Sequence, residues 1–273
     1  MTTVHALVIT GYGLNCDYET DFALRLAGAE PHRVHINDLI ERGSLDGFHV
    51  LVFGGGFSWA DDHGAGVLLA AKLRNNIGDS MDRFVRQGKL VIGICNGFQS
   101  LVNLGLLPGF DHNYGERRVA VTYNDSGNFI DTWVRLTVTA ASPCVFTKGF
   151  ESIELPVRHG EGKFFAARED IQRLDASGQV VMRYAGEDGL PAGGRWPENP
   201  NGSLEDIAGI CDPTGRIFGL MPHPEAFHHV TNHPEWTRHK ASLALDGKSF
   251  ESEEGAGVRI FRNAVEFARE NLC

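Results

Sequence analysis

A chain of 273 residues, 42% hydrophobic and 22% charged, is long enough to bury a sizeable core without disulfide staples. Its 25 basic and 35 acidic side chains leave a net charge of −10, which argues against nucleic acid or an anionic membrane as the main ligand. Five scattered cysteines with no Cys-x-x-Cys pair exclude the common zinc and redox motifs and point to a reducing compartment.

In chain order, residues 4–10 read as a short apolar strand ending at Gly11-Tyr12-Gly13. Asp17 is placed to cap a helix through Leu26, with Phe22 and Leu26 on its buried face and Gly28 as its stop. Residues 34–36 and 50–53 are the next strands, the second ending at Gly54-Gly55-Gly56. An amphipathic helix follows over about 66–87, interrupted near Gly78. Residues 90–94 form a continuous apolar strand, with a helix over 98–104 behind it. Strands that are apolar on both faces and alternate with helices predict a parallel sheet covered on both sides.

After Pro108 the pattern changes, and strands over 119–123, 133–139, 180–184, 207–211 and 217–220 have a more antiparallel character. The Gly/Pro/Asn-rich stretch 186–206 is a long loop, of the kind that is usually functional or at an interface. Residues 259–270 close the chain as a helix that buries Ile260, Phe261, Ala264, Val265 and Ala268. No linker or repeat divides the sequence, so one domain over 1–273 is expected. The N-terminus lacks a basic segment and no apolar run approaches ~18 residues, so neither a signal peptide nor a membrane span is expected and the chain is placed in the cytoplasm.

Three motifs carry the chemistry. Gly93-Ile94-Cys95-Asn96-Gly97, between a buried strand and a helix, is the cysteine version of the nucleophile elbow. Its glycines permit a tight turn that projects the Cys95 thiol, and the helix start favours a thiolate. His223-Pro224-Glu225 follows the strand over 217–220. Proline keeps that tripeptide extended, so Glu225 can orient the His223 ring as base to the thiol. Phe53-Gly54-Gly55-Gly56-Phe57-Ser58 offers backbone N–H groups to an oxyanion. Each motif alone has a plainer reading, as a buried cysteine, a loop histidine or a surface turn. Placement after strands that can be neighbours in one sheet favours the catalytic one.

These motifs recur in order with Asn15-Cys16-Asp17, Gly105-Leu106-Leu107-Pro108-Gly109, His159-Gly160-Glu161-Gly162 and Asn199-Pro200-Asn201-Gly202-Ser203. Together they resemble the glutaminase components of phosphoribosylformylglycinamidine synthases, within the class I (triad) glutamine amidotransferases. The resemblance spans residues 4 to 270 and implies an α/β, flavodoxin-like fold, mostly parallel and covered by helices, with an added antiparallel portion. It implies Cys95, His223 and Glu225 as the triad, with oxyanion donors from Gly55, Gly56 or Phe57 and from Asn96. Ser58 and Gln99 are implied to hold the α-amino and α-carboxyl groups of glutamine, with His159 or Glu161 lining the site. The ending around His233-Pro234-Glu235-Trp236 is more similar to the glutaminase domain of the large single-chain enzymes. Ala226 stands where the family usually has Arg, and residues 59–64 replace its usual Tyr-Gly-Asp continuation.

The same resemblance implies ammonia delivery to an ATP-dependent synthetase partner that makes the amidine in de novo purine biosynthesis, with a small bridging subunit left open as a third component. ATP and Mg²⁺ then belong to the partner, and no cofactor is expected in this chain. Another triad glutaminase, a cysteine hydrolase or a non-catalytic scaffold remain the alternatives. Gly247-Lys248-Ser249 has Ser242 where a phosphate-binding loop needs glycine, and Gly11-x-Gly13 lacks the remainder of a dinucleotide fingerprint. His223, His228, His229, His233 and His239 crowd one stretch, but no metal is expected there without cysteine partners or a helical His-x-x-x-His.

Overall fold

The computed structural model describes residues 2–250 and 252–273. Eleven strands are present among them: β1 (His5–Thr10), β2 (Glu30–His35), β3 (Val50–Phe53), β4 (Leu90–Ile94), β5 (Val119–Thr122), β6 (Ile130–Val138), β7 (Ser152–His159), β8 (Lys163–Ala166), β9 (Val180–Ala185), β10 (Ile207–Cys211) and β11 (Ile217–Leu220). The helices are α1 (Asp17–Leu26), α2 (Ile36–Arg42), α3 (Val67–Arg86), α4 (Asn96–Leu104), α5 (Arg168–Ala176), α6 (Trp236–Leu245) and α7 (Val258–Asn271). One nine-stranded sheet runs β2-β1-β3-β4-β11-β10-β9-β6-β7, and β5 pairs with β8 in a separate two-stranded ribbon.

The sheet changes character where the sequence does. From β2 to β11 all neighbours are parallel, with Ile94 opposite Leu220 at the end of the β4–β11 pair. From β11 onward every pairing is antiparallel. β3, β4, β10 and β11 are buried along their whole length, as strands covered on both faces must be. Because β4 and β11 are adjacent and parallel, the segments after them leave the same sheet edge, and these carry Cys95 and His223.

Several local expectations need correction. The strand expected at 34–36 is β2, which begins at Glu30 and stops at His35, where Ile36 starts α2. His35 caps that helix, its Nδ1 accepting from Asn37 N. Asp17 is the first residue of α1 rather than its cap, and it pairs with Arg33 instead. α1 buries Thr20, Ala23 and Leu24, while Phe22 and Leu26 are exposed because they lie on the flank of that helical stripe. α3 does break near Gly78, at Ile77 with φ −131°. β7, β8, α2, α5 and α6 lie where no element was expected. The segment 186–206 is a long loop as expected, closed by the 3₁₀ turn Leu204–Asp206 and pinned in place: Asp206 accepts from the N–H groups of Gly193 and Gly194, and Asn199, Asn201 and Ser203 are buried. Among the described residues no helix is long and apolar enough to cross a membrane.

Candidate active site

β4 ends at Ile94 and α4 begins at Asn96, leaving Cys95 alone in the turn with φ 52° and ψ −109°. A non-glycine residue in that region is strained, and such strain is kept where a side chain must be aimed. Cys95 N–H donates to Leu220 O at 2.8 Å, which anchors the turn to the end of β11. A Cβ on Gly97 would collide with the Phe53 carbonyl, so the second glycine of the motif is what lets α4 start tight against β3.

His223 is delivered by the segment after β11 and is held by its N–H to Pro156 O of β7 at 2.8 Å. The tripeptide is not extended as the proline suggested. His223 is extended, but Pro224–Ala226 forms a 3₁₀ turn, with Ala226 N–H donating back to His223 O. That turn swings Glu225 onto the ring, where Oε1 lies 2.6 Å from His223 Nδ1 with both side chains buried. A carboxylate can only accept, so Nδ1 carries the proton and Nε2 is left for chemistry. Burial, the largest single influence, pulls the His223 pKa down, but Glu225, Cys95 and Cys16 together outweigh it and raise it well above the usual value. That upward direction suits a base that has to take and hold the proton of a thiol. The Cys95 sulfur itself rests 3.7 Å from the Arg158 carbonyl.

Four buried side-chain atoms at this edge have no hydrogen-bond partner: His223 Nε2, Glu225 Oε2, Asn96 Oδ1 and Ser58 Oγ. Leaving such a group unpaired costs about 1–3 kcal/mol, a cost proteins usually carry where a ligand or reaction completes the set.

The glycine loop after β3 packs beside the ring. A Cβ on Gly55 would lie 2.7 Å from His223 Cε1 and 3.1 Å from Cys16 Sγ, so the loop approaches the base only as glycine. Phe57 N–H is already donated to Gly13 O at 2.9 Å, and Gly55 O accepts from Asn15 and Cys16. Phe57 is therefore not a free oxyanion donor, whereas the N–H groups of Gly55 and Gly56 are given to no backbone carbonyl of the turns and loops. Asn96, first residue of α4, has a backbone N–H with no intrahelical acceptor.

Residues 59–64 fold over this edge in a run of left-handed conformations, with Trp59, Ala60 and Asp61 at φ 52°, 58° and 55°. They bring Asp61 Oδ1 to 2.9 Å from Asn96 Nδ2. Burial and the nearby charge of Glu161 push the Asp61 carboxyl up to about 6. Glu161 is itself raised by burial, and its Oε2 accepts from Ala65 N–H at 3.4 Å. Two half-buried carboxylates, one bonded to Asn96 and the other to Ala65, thus stand close enough to repel one another beside the start of α4.

The other expected residues divide into two groups. Gln99 donates its side-chain amide to Glu161 O, so it holds the loop carrying Glu161. His159 does not line the site: it is buried, its Nδ1 lies 3.1 Å from Asn124 Oδ1, and burial lowers it to about 3, keeping it neutral. Asn124 also holds Gly162 N–H and His159 O, while Asn201 donates to Gly162 O and Tyr184 Oη. The Asn-Pro-Asn-Gly-Ser motif is a girder beneath the His-Gly-Glu-Gly loop.

Residues to which the sequence assigned no role complete the site. Asp61 lies in the departing stretch 59–64, and its left-handed backbone turns it toward Asn96. Cys16 Sγ lies 4.0 Å from His223 Nδ1, behind the ring, with its thiol pKa raised by burial. Asn15, Cys16, Glu19, Gly56, Phe57, Phe129, Arg158 and His223 surround a cavity of about 230 Å³ that opens onto the base. A larger one of about 420 Å³, between α7 and residues 138–150, touches none of the triad. Neither convergent set of possible metal ligands among the described residues includes His228, His229, His233 or His239.

Residues 3–268 match the family of CobB/CobQ-like glutamine amidotransferase domains. Phosphoribosylformylglycinamidine synthase subunit PurQ of Dehalococcoides mccartyi is 44% identical over 271 residues, covering 99% of this chain and 100% of its own length. The subunit of the same name from Methanococcus maripaludis is 43% identical over 262 residues, 96% of either chain. A chain in the structure of PurLQS from Thermotoga maritima superposes with a TM-score of 0.70 at 29% identity, over 97% of this chain and 99% of that one. A glutamine amidotransferase from the same organism, 16% identical with a TM-score of 0.56, shares the fold.

Proposed function

The chain belongs to the family of CobB/CobQ-like glutamine amidotransferase domains, and on that premise we propose that it is the glutaminase subunit of a phosphoribosylformylglycinamidine synthase. It hydrolyses L-glutamine and supplies the ammonia with which a synthetase subunit converts phosphoribosylformylglycinamide to phosphoribosylformylglycinamidine in purine biosynthesis. The names of its full-length relatives support the substrate and the pathway. The likeness to a chain of PurLQS supports a synthetase partner and a small third subunit. Residues 1–273 act as one unit, in the cytoplasm, with ATP and Mg²⁺ handled by the partner.

One observation carries the chemistry: Cys95, strained at the end of β4, shares a sheet edge with the buried His223–Glu225 pair. The Cys95 thiolate attacks the side-chain carbonyl of glutamine, its proton having passed to His223. The oxyanion is met by the N–H groups of Gly56 and Asn96, donors whose removal typically costs about 3–4 kcal/mol. His223 returns the proton to the departing nitrogen, which leaves as ammonia from a γ-glutamyl thioester. It then takes a proton from the attacking water, glutamate departs, and the sulfur is restored. Asp61 and Glu161 hold the α-ammonium of glutamine, while Ser58 and Gln99 shape the place of its α-carboxylate.

Docking of the synthetase fixes the exact position of residues 54–64, which already fold over this edge, so turnover of the isolated chain is low and rises when the partner is added. A glutamine-mimicking electrophile tests the site itself. Mass spectrometry should find the adduct on Cys95 and glutamine should protect against it; labelling confined to Cys16 would contradict the assignment.

A further inference from the structure

At the other end of the sheet, three side chains stand together that glutamine hydrolysis does not use. The parallel register sets His5 of β1 opposite Glu30 of β2, and His32 lies two residues further along the same strand. Side chains two apart in a strand share a face, so the register converges all three. His5 Nδ1 lies 3.2 Å from His32 Nε2, 3.8 Å from one Glu30 carboxylate oxygen, and His32 Nε2 lies 3.6 Å from the other.

These separations match a tetrahedral zinc ion. Zinc–nitrogen bonds of about 2.0–2.1 Å at tetrahedral angles place neighbouring ligand atoms roughly 3.3 Å apart. The rings are already positioned. His49 stacks on His5 at 6.0 Å and its Nδ1 accepts the His5 N–H, while Phe48 meets His32 edge-on at 5.5 Å. The side chains of His5, Glu30 and His32 are 35%, 52% and 40% exposed, so an ion has access and its fourth position falls to water.

The geometry points to a divalent-cation site of the two-histidine, one-carboxylate type, selective for zinc over magnesium or calcium because two of its three ligands are imidazoles. It clips the edge strand β2 to β1 at the end of the sheet opposite Cys95. Its effect is therefore on the stability of that edge and not on the glutaminase reaction.

The protein also brings Cys16, His223 and Glu225 within ligand distance of one another, so the test must tell the two sets apart. Cobalt(II) does so, since coordination by Cys16 adds a near-ultraviolet thiolate band that His5, Glu30 and His32 cannot produce. Titrating the full-length protein with cobalt should give tetrahedral visible absorption, retained in Cys16→Ser and lost in His32→Gln and Glu30→Gln. Zinc should displace the cobalt and raise the melting temperature of the wild type but not of His32→Gln. Zinc affinity should fall by at least the roughly 10–100-fold that loss of even an outer-shell partner costs. These residues are partly exposed, and circular dichroism in chelator checks that the variants fold. Absorption that persists in His32→Gln, that vanishes only in Cys16→Ser, or that never appears would overturn the site.

Discussion

Glu225 holds His223 by a 2.6 Å hydrogen bond to Nδ1, with both side chains out of water and the ring's other nitrogen unpartnered. Burial alone would make the imidazole a weak base; the carboxylate is the first of the influences that reverse this.

Glu225→Gln keeps a hydrogen-bond acceptor but removes the charge. The His223 pKa, followed by NMR of the imidazole, should fall from its raised value, because the downward pull of burial is then less opposed. Glutamine hydrolysis should drop by roughly 10²-fold or more, as expected for loss of the carboxylate that orients and supports a catalytic histidine. An unchanged imidazole titration would refute this role.

Asp61 makes a pH prediction of definite sign. Its carboxyl is raised from 3.8 to about 6, so the native state binds the proton more tightly than the unfolded chain. Asp61 therefore costs stability increasingly as pH rises through this interval, and fully above it. Asp61→Asn, which can still accept from Asn96, should be more stable than wild type above about pH 6, by on the order of 1 kcal/mol after allowing for solvent screening. The two proteins should converge near pH 4, where the wild-type carboxyl is largely protonated. If the carboxylate also binds the glutamine ammonium, wild-type KM should rise as pH falls below about 6, while the variant starts high and loses that limb. Denaturant melts across pH and steady-state kinetics read both effects.

How much of this was legible in advance can be traced to particular residues. Gly93, Cys95 and Gly97 stand out because one backbone turn needs all three at fixed spacing. The parallel strands stand out because burial on both faces leaves uninterrupted apolar runs. β7 did not, because Pro156 breaks its pattern; as an edge strand it tolerates a residue without an N–H, and the Pro156 carbonyl then holds His223. Asp61 was hidden because left-handed backbone at Trp59, Ala60 and Asp61 has no sequence signature when no glycine is present. His159 and Asn201 were visible as motif residues, but whether a polar side chain faces the substrate or braces the loop beneath it depends on long-range contacts.

Gly55→Ala probes the fit of the loop against the base. The added methyl would stand 2.7 Å from His223 Cε1, so the ring must yield. Because Gly55 is not among the residues of positive φ, the backbone tolerates alanine, and the stability cost should stay within the about 1–3 kcal/mol typical of overpacking. A misplacement of this size costs about 10²-fold in kcat. Full activity in a folded variant would show that the loop does not set the position of His223.

The central claim is that Cys95 is the nucleophile of a glutaminase that feeds ammonia to a synthetase. The most direct measurement is amidine synthesis by the reconstituted complex, with glutamine and then with ammonium as the nitrogen source, for wild type and Cys95→Ala. Glutamine-dependent synthesis and glutamine hydrolysis should both vanish in the variant, while ammonia-dependent synthesis persists at the wild-type rate. Glutamine hydrolysis retained by Cys95→Ala would contradict the account.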